Sequence, residues 1–373
     1  MGSRLQGTSP HRMLGKKYGS IYTFYFGPHP VVVFCGYEAV KEALVDHGED
    51  FIGRGRQPTV DRVFQGYGIL RKSDVDVTCE RILSASAVSK LNVEAIQDMI
   101  PMIMNHLPGP HQKITTLLEE LNDFVAERVK MNQETLDPQN PRDYIDCFLM
   151  KMHEEKDNPD SEFNMRNLIL SLNNLFFAGG ETVATTLKHG FLILLKYPDL
   201  QAKIYKEIDD VIGRDRQPNI DDRSKMPYTD AVIHEIQRFS DVIPMNAPHS
   251  ATRDTIFRGY TIPKGTGVCA LLCSVLEDPT YFATPDKFNP NHFLDSEGNF
   301  KRNEAFAPFS FGKRLCLGEG LARMELFLFF TSILQNFELT SQTQFTDSDI
   351  YPRMTGFANV PISYQMSFVS RGF

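Results

Sequence analysis

The segment from Phe163 to Lys196 is the sequence feature that most constrains the fold. It is the longest stretch with helical spacing of apolar residues, and most of its surface is apolar. A helix of this kind must be enclosed by other elements. We therefore expect it at the centre of a mainly helical domain, ending where Tyr197 and Pro198 interrupt it.

Apolar periodicity predicts further helices around this segment, and β-rich runs predict a small sheet. The predicted helices are Tyr37–Asp46, Ile114–Val129, Tyr144–His153, Leu200–Ile212, Tyr228–Phe239 and Cys316–Leu339. The predicted strands are Ile21–Phe26 and Val31–Cys35, which form a hairpin, and short runs between Pro244 and Val275. The sum is a mainly α fold with a small β part, in a single domain over residues 1–373.

Composition excludes several classes of protein. The chain has 373 residues, 42% of them hydrophobic, and a net charge of −8, which argues against a nucleic-acid partner. No stretch reads as a transmembrane helix or a signal peptide. The six scattered cysteines suit a reducing compartment. Cys269 and Cys273, in a β-like run, are interpreted as core thiols.

The stretch FSFGKRLCLGEG, residues 309–320, raises the question of what Cys316 does. It could be a core thiol, a nucleophile with a nearby base, or a thiolate ligand to haem iron. Gly312 and Gly318 would let the backbone approach a flat macrocycle, and a helix opening at Cys316 would aim free N–H groups at the sulfur. Zinc fits poorly because no second ligand lies at the right spacing. The local residues favour the haem ligand.

The neighbouring residues complete a recognisable pattern. Arg314 is placed to reach a haem propionate, and Phe309 to cover the sulfur side. The pattern F-x-x-G-x-R-x-C-x-G resembles the haem-binding signature of the cytochrome P450 family, in the style of its microsomal vertebrate family-2 members. The resemblance implies a cytochrome P450 fold, a haem b cofactor, and Cys316 as the axial metal ligand.

The stretch HEIQRF contains an E-x-x-R pair, Glu235 and Arg238. Such a pair usually decorates a helix surface. The resemblance implies a buried structural triad instead, with His292 of FNPNHF as its third member and with the task of bracing the cysteine loop. It also implies that His249, in PHSATRD, binds a propionate.

Two adjacent glycines interrupt the longest helix in FFAGGETVATT, at a cost of about 1 kcal/mol each relative to Ala. Close helix packing and function explain them equally well from the sequence. The resemblance implies that Ala178 and Gly179 make room for dioxygen beside the haem. It assigns proton delivery to Thr182 and Glu181.

Substrate contacts implied by the resemblance are apolar, so an apolar substrate is expected. They are Phe176, Phe177, Ala178, Ile243, Met245 and Phe357. The implied reaction inserts one atom of O2 into a xenobiotic, fatty acid or steroid and reduces the other atom to water. Electrons would come from NADPH through NADPH-cytochrome P450 reductase, docking near Lys313 and Arg314, with cytochrome b5 as a further partner.

The resemblance covers residues of about 18–70 and 100–373, and the chain lacks pieces that its relatives have. We expect a β-rich part over about 18–70, an internal loss near 71–100, and a helical, haem-binding part over 111–373. The absence of any Trp agrees with the loss of a W-x-x-x-R helix that supplies propionate partners. Without a membrane anchor, the chain is expected to be peripheral on the cytosolic face of the endoplasmic reticulum.

This loss supports an alternative, a non-catalytic shortened form with weak or no haem binding. A haem-thiolate isomerase or dehydratase acting on peroxides is a third hypothesis. Glu181 and Thr182 argue against it, because such an enzyme needs no proton delivery to dioxygen.

Overall fold

The computed structural model describes residues 10–26, 29–55, 110–355 and 358–372. Contacts divide the chain into two compact units. The first comprises Met1–Tyr25, His29–Gly53 and Thr182–Phe373, and the second comprises Phe26–Pro28 and Arg54–Glu181. The longest helix, Met165–Lys196, contributes residues to both.

The described helices are mostly amphipathic and match the predicted ones closely. They are α1 (Pro10–Tyr18), α2 (Tyr37–Lys41), α3 (Pro110–Glu134), α4 (Tyr144–Glu154), α5 (Met165–Lys196), α6 (Pro198–Val211), α7 (Pro227–Ser240), α8 (Leu272–Leu276), α9 (Glu319–Asn336) and α10 (Asp347–Ile350). A π-helical turn, Glu42–Asp46, follows α2, and 3₁₀ turns occur at Ile220–Lys225, Pro290–Phe293 and Gly312–Arg314.

The strands are short and form one larger sheet and three pairs. They are β1 (Ile21–Phe26), β2 (His29–Cys35), β3 (Gly53–Arg54), β4 (His249–Ser250), β5 (Thr255–Phe257), β6 (Tyr260–Ile262), β7 (Gly267–Leu271), β8 (Phe337–Thr340), β9 (Arg353–Thr355), β10 (Ala358–Val360) and β11 (Ser367–Ser370). The prediction of a mainly α fold with a small β part is confirmed.

The five-stranded sheet has the order β1-β2-β7-β4-β3. The predicted hairpin is confirmed, since β1 and β2 are neighbours. β2 pairs with β7 in parallel, with Phe34 opposite Ala270, and both residues are fully buried. The predicted β run after Gly267 is too long, because the chain turns into α8 and Cys273 lies on that helix. Burial raises the pKa of the Cys269 thiol to about 12, as expected for an inert core thiol.

The core of the first unit has two main parts. One fills the space beside the sheet, where the ring of Phe34 lies 5.1 Å from that of Phe51. The other packs the C-terminal half of α5 against α6, α7 and α9. Three consecutive residues there, Leu192 to Leu194, are fully buried, so this part of α5 is enclosed as expected.

Gly190 allows the close approach of helices in this second part. A Cβ at this position would lie 2.9 Å from Cδ1 of Ile236 and 3.3 Å from the ring of Phe330. A larger residue here would therefore require the side chains of Ile236 and Phe330 to shift. This glycine, which lies ten residues beyond the predicted functional pair, is a packing residue.

In the second unit, α3, α4 and the first half of α5 share a small apolar core around Phe148 and Leu168. The connection between α3 and α4 is held by the buried carboxylate of Asp146. The Arg142 guanidinium, 2.7 Å away, lowers the pKa of that carboxyl well below its usual range. Asn132 also donates to it, at 3.0 Å.

Proline and glycine set the ends of the longest helices. α5 ends at Lys196, and Pro198 stands in the first turn of α6. The helix after the cysteine loop begins later than predicted, at Glu319 with Gly318 as its N-cap, because Cys316 closes a turn in which its carbonyl accepts from the Glu319 N–H. That helix ends at Asn336, where β8 begins. No helix within the described ranges has both the length and the hydropathy to cross a membrane.

The buried His189 of α5 predicts an acid-sensitive fold. Burial lowers its pKa from 6.5 to about 4, and the nearby backbone of Asn359 opposes this only in part. Between pH 6.5 and 4, His189 therefore binds a proton in the unfolded chain but not in the folded one. The free energy of unfolding falls as the pH falls through this window. We expect this group to cost about 2 kcal/mol of unfolding free energy on going from pH 7 to pH 5.

The measurement is urea unfolding of the parent and of His189→Leu at both pH values. The variant should lose about 2 kcal/mol less than the parent over this interval. His153→Leu, at an exposed position on α4, is the matched control and should keep the parent's pH dependence. An identical pH dependence in all three proteins would contradict the prediction.

Candidate functional site

The sulfur of Cys316 sits where backbone donors converge. Desolvation by neighbouring atoms raises the pKa of the Cys316 thiol, and hydrogen bonding to the backbone of Gly318 and Glu319 opposes this rise. The sulfur lies just before the N-terminus of α9, an end of a helix that favours negative charge. The residue is nevertheless exposed, so the thiol is open to a ligand or a metal.

Several apolar residues close to Cys316 in the sequence are exposed as well. Leu315, Leu317 and Leu321 expose 47%, 74% and 57% of their surface, and Met324 exposes 40%. Exposed apolar residues grouped on one loop and one helical turn mark a binding surface more often than a free one.

Gly312 has a packing role that the sequence did not predict. A Cβ at this position would lie 1.8 Å from the carbonyl oxygen of Leu44, and the backbone φ is +71°. Gly312 therefore allows a close approach to the π-helical turn Glu42–Asp46, and its predicted approach to a macrocycle stays a prediction. Among the described residues other than its chain neighbours, a Cβ at Gly318 would meet only the sulfur of Cys316, at 4.0 Å.

The residues that follow the π-helical turn bind the two basic residues that precede Cys316, Lys313 and Arg314. Nε of Arg314 donates to the carbonyl oxygen of Ile52 at 3.2 Å, which leaves the outer guanidinium nitrogens for another acceptor. Lys313 pairs with Glu49 at the surface. The cysteine loop, defined here as residues 309–318, therefore rests on residues 42–52, a contact that the sequence did not predict.

A second unpredicted contact joins the cysteine loop to the segment before β4. Asn246 and Ser310 are buried, and both have positive φ, 58° and 67°. Nδ2 of Asn246 donates to Oγ of Ser310 at 2.9 Å. Two non-glycine residues in the left-handed region are a local strain that the surrounding structure maintains. They lie beside predicted site residues on both segments.

We expect Ser310→Ala to lower the unfolding free energy by about 1–3 kcal/mol, because it leaves the buried amide of Asn246 without its acceptor. Asn246→Gly should cost less, because glycine relieves the left-handed strain while it removes the bond. In the double variant the two losses should not add, since both remove the same contact. Urea unfolding of the four proteins gives the coupling energy, and strictly additive losses would contradict the prediction.

The structure brings Glu235, Arg238 and His292 together. Arg238 forms a two-pronged pair with Glu235, both bonds at 2.7 Å, and both side chains are almost fully buried. Nδ1 of His292 lies 3.2 Å from both carboxylate oxygens. The Thr284 N–H donates to Nε2 of the same ring at 3.2 Å, so the ring is the neutral tautomer with its proton on Nδ1.

The remaining bonds of this triad end on one neighbouring segment. Arg238 donates to the carbonyl oxygens of Leu276, Pro285 and Lys287. Glu235 accepts from the N–H of Asn289 at 2.8 Å. In the part of the chain that is described, these side chains form no hydrogen bond with the cysteine loop. The triad directly fixes residues 276–292, and its predicted bracing of the loop stays a prediction.

His249, at the start of β4, is buried and oriented by the backbone. Its Nδ1 donates to the carbonyl oxygen of Phe51 at 2.8 Å. In the neutral ring this leaves Nε2 as an acceptor, so the ring could bond a carboxylate through Nε2 only when it is doubly protonated.

On α5, Ala178, Gly179 and Gly180 are exposed. A Cβ at either glycine would meet no described atom beyond the helix's own backbone within 4 Å. Close packing, one of the two explanations left open by the sequence, therefore finds no support among the described residues. Glu181 and Thr182 are half-buried, and the hydroxyl of Thr186 donates to the carbonyl of Thr182 at 2.8 Å.

The predicted substrate residues differ in their surroundings. Phe176 is 72% exposed whereas Phe177 is buried. Ile243 is half-buried, and Met245 packs beside Val33 and Leu271. Phe357 and the predicted internal loss near residues 71–100 lie outside the described residues. Phe176 to Glu181 belong to the second unit and Cys316 to the first, so their joint action at one site stays a prediction.

Comparisons with known proteins show the family of this chain. The family model described as Cytochrome P450 matches residues 4–98 and 86–368. The chain is 47% identical to Cytochrome P450 2G1 of Oryctolagus cuniculus, 46% to Cytochrome P450 2G1 of Rattus norvegicus and 45% to Cytochrome P450 2A5 of Mus musculus. Each match covers 96% of this chain and 88% of the relative.

The chain belongs to the cytochrome P450 family. The relatives named above are family-2 members, as the sequence predicted. As a cytochrome P450 it is a monooxygenase with haem b as its cofactor. Each alignment spans 434 positions, more than the 373 residues of this cytochrome P450, so the relatives have positions that it lacks.

The residues present fit a haem. A cysteine just before the N-terminus of a helix suits an anionic iron ligand, and the exposed apolar residues on either side of it suit the flat apolar face of a porphyrin. Arg314 uses only Nε for its backbone bond, so its two outer nitrogens suit a propionate.

Proposed function

We propose that this cytochrome P450 inserts one atom of O2 into an apolar small molecule, using NADPH-derived electrons delivered by NADPH-cytochrome P450 reductase. The observation that carries the proposal is the exposed Cys316, which lies just before the N-terminus of α9 and beside an exposed apolar surface. Haem bound through a thiolate supplies the O2 and one-electron chemistry.

We assign roles to the chain's own residues from their positions. Cys316 would hold the iron, and the N-terminus of α9 would stabilise the charge on its sulfur. Arg314 would bind one propionate, and His249 would bind the other as an imidazolium. The half-buried Glu181 and Thr182 take protons from solvent and hold them on the substrate side.

The substrate we propose is apolar, in the range of xenobiotics, fatty acids and steroids, because the predicted contact residues are apolar. Phe176, exposed on α5, supplies an aromatic surface for it. Cytochrome b5 is proposed as a further electron donor. The cytosolic face of the endoplasmic reticulum is the proposed location, which fits the family of this chain.

The test uses the full chain expressed with a haem precursor. The reduced, carbon-monoxide-bound protein should show the red-shifted Soret band of a thiolate ligand, and Cys316→Ser should abolish it. Cys147→Ser, at another exposed cysteine, is the matched control and should keep the band. Absence of the band in the parent would overturn the proposal. It would support the alternative of a shortened, non-catalytic form with weak or no haem binding, which the comparisons do not favour.

Proton delivery is tested by turnover with NADPH and reductase. Thr182→Val should lower the product formed per NADPH and release more hydrogen peroxide, because dioxygen is then reduced without a timely proton. Thr186→Val removes a hydroxyl one turn further on, which is already bonded to the backbone, and should stay close to the parent. Equal coupling in both variants would contradict the assigned role of Thr182.

A further inference from the structure

We propose that Arg323 is the positioning residue that holds the cysteine loop and the first turn of α9 in the geometry that Cys316 needs. The proposal rests on the proposed function in one respect, that Cys316 binds haem. It adds a residue outside the haem-binding signature, with a bracing role of the kind that the resemblance implied for Glu235, Arg238 and His292.

The guanidinium of Arg323 joins two helices. Its Nε donates to Oε1 of Glu319, one turn earlier on α9, at 2.8 Å. Its Nη1 donates to Nε2 of His234 on α7 at 3.0 Å. A planar group with donors on two sides can make both bonds at once, which a lysine ammonium on a flexible chain does poorly.

His234 is a fixed anchor for this contact. The residue is buried, and its ring packs against Phe293, Phe300 and Phe306. Its Nδ1 donates to the Asp230 carbonyl oxygen at 2.8 Å. Nε2 is therefore free to accept the bond from Arg323. His234 on α7 thus fixes the position of the guanidinium.

The same guanidinium packs on the cysteine loop. Its central carbon lies 5.1 Å from the ring centre of Phe309 and 5.5 Å from that of Phe306. Partial burial strengthens such cation–π contacts relative to exposed ones. Phe309 is the first residue of the loop, and its carbonyl accepts from the Cys316 N–H at 3.0 Å.

Arg323 therefore holds both sides of the sulfur. On one side it fixes Phe309, whose carbonyl orients the Cys316 backbone. On the other side it fixes Glu319, whose own N–H donates to the Cys316 carbonyl oxygen at 3.3 Å. It also neutralises the Glu319 carboxylate, a charge that would otherwise oppose a thiolate next to it.

The test compares Arg323→Gln with Arg371→Gln in the full chain. Arg371 is a matched control because it is also a largely buried arginine, paired with Asp209 and stacked 4.1 Å from the ring centre of Tyr205, at the other end of α9. In the haem-loaded protein, Arg323→Gln should lower the reduction potential and raise the fraction of the carbon monoxide complex that lacks the thiolate band. Arg371→Gln should leave both unchanged.

Two further measurements separate this inference from the proposed function. In the haem-free chain, Arg323→Gln should accelerate amide hydrogen exchange over residues 309–319, and Arg371→Gln should not. Arg323→Lys restores the charge but not the two-sided bonding, so the reduction potential should recover while the exchange stays fast.

Unchanged exchange in Arg323→Gln would overturn the positioning role whether or not haem binds. A loss of electron transfer from the reductase alone, with potential, spectrum and exchange all unchanged, would also overturn it. If the parent protein lacks the thiolate band, the proposed function is contradicted instead.

Discussion

Glu235→Ala is expected to destabilise the protein by about 3–5 kcal/mol. The side chains of Glu235 and Arg238 are 0% and 1% exposed, so the variant leaves a guanidinium charge buried without its carboxylate. The Asn289 N–H and His292 lose their acceptor as well. Urea unfolding followed by circular dichroism measures the loss. Since a loss of this size is a large fraction of a typical protein's total stability, we also expect less folded protein to accumulate on expression.

Lys206→Ala is the control for Glu235→Ala. Lys206 and Asp210 form an ion pair one turn apart on α6, and both side chains are exposed. Solvent screens such a pair, so its removal should change the unfolding midpoint little. Glu235→Gln keeps the shape and part of the hydrogen bonding, and should fall between the two. Equal midpoints for Glu235→Ala and Lys206→Ala would show that burial of the pair does not matter.

Gly312→Ala is expected to cost about 3 kcal/mol or more. Part of this, about 1 kcal/mol, is the strain of an L-residue at φ +71°. The rest comes from the new methyl group, which would lie 1.8 Å from the Leu44 carbonyl oxygen and must push the loop or the π-helical turn away. Since the same loop carries Cys316, the variant should also lose haem more readily than the parent.

Gly259→Ala isolates the strain from the clash. Gly259 has φ +83°, and a Cβ there meets no described atom within 4 Å. The Gly259→Ala variant should therefore lose only about 1 kcal/mol of unfolding free energy, from backbone strain alone. Haem transfer to an acceptor protein and urea unfolding measure the two effects. If Gly312→Ala and Gly259→Ala cost the same, then the contact with Leu44 can relax and does not hold the loop.

The sequence predicted the helices well because their apolar spacing is local. The ends of α4 and α5 lie within two residues of the predicted ends. The Glu235–Arg238 pair was predictable for the same reason, since residues three apart on a helix face each other. The helix after Cys316 was predictable too, although it begins three residues later than predicted, at Glu319.

Only the tertiary structure decided which distant segments support the site. Gly312 meets Leu44 and Asn246 meets Ser310 across long stretches of chain, and Arg323 meets His234 on another helix. No spacing in the sequence encodes these pairs, because each depends on how separate elements pack. The sequence by itself determined the ligand that we propose, a cysteine shortly before a helix. Packing between elements determined what keeps that cysteine in place.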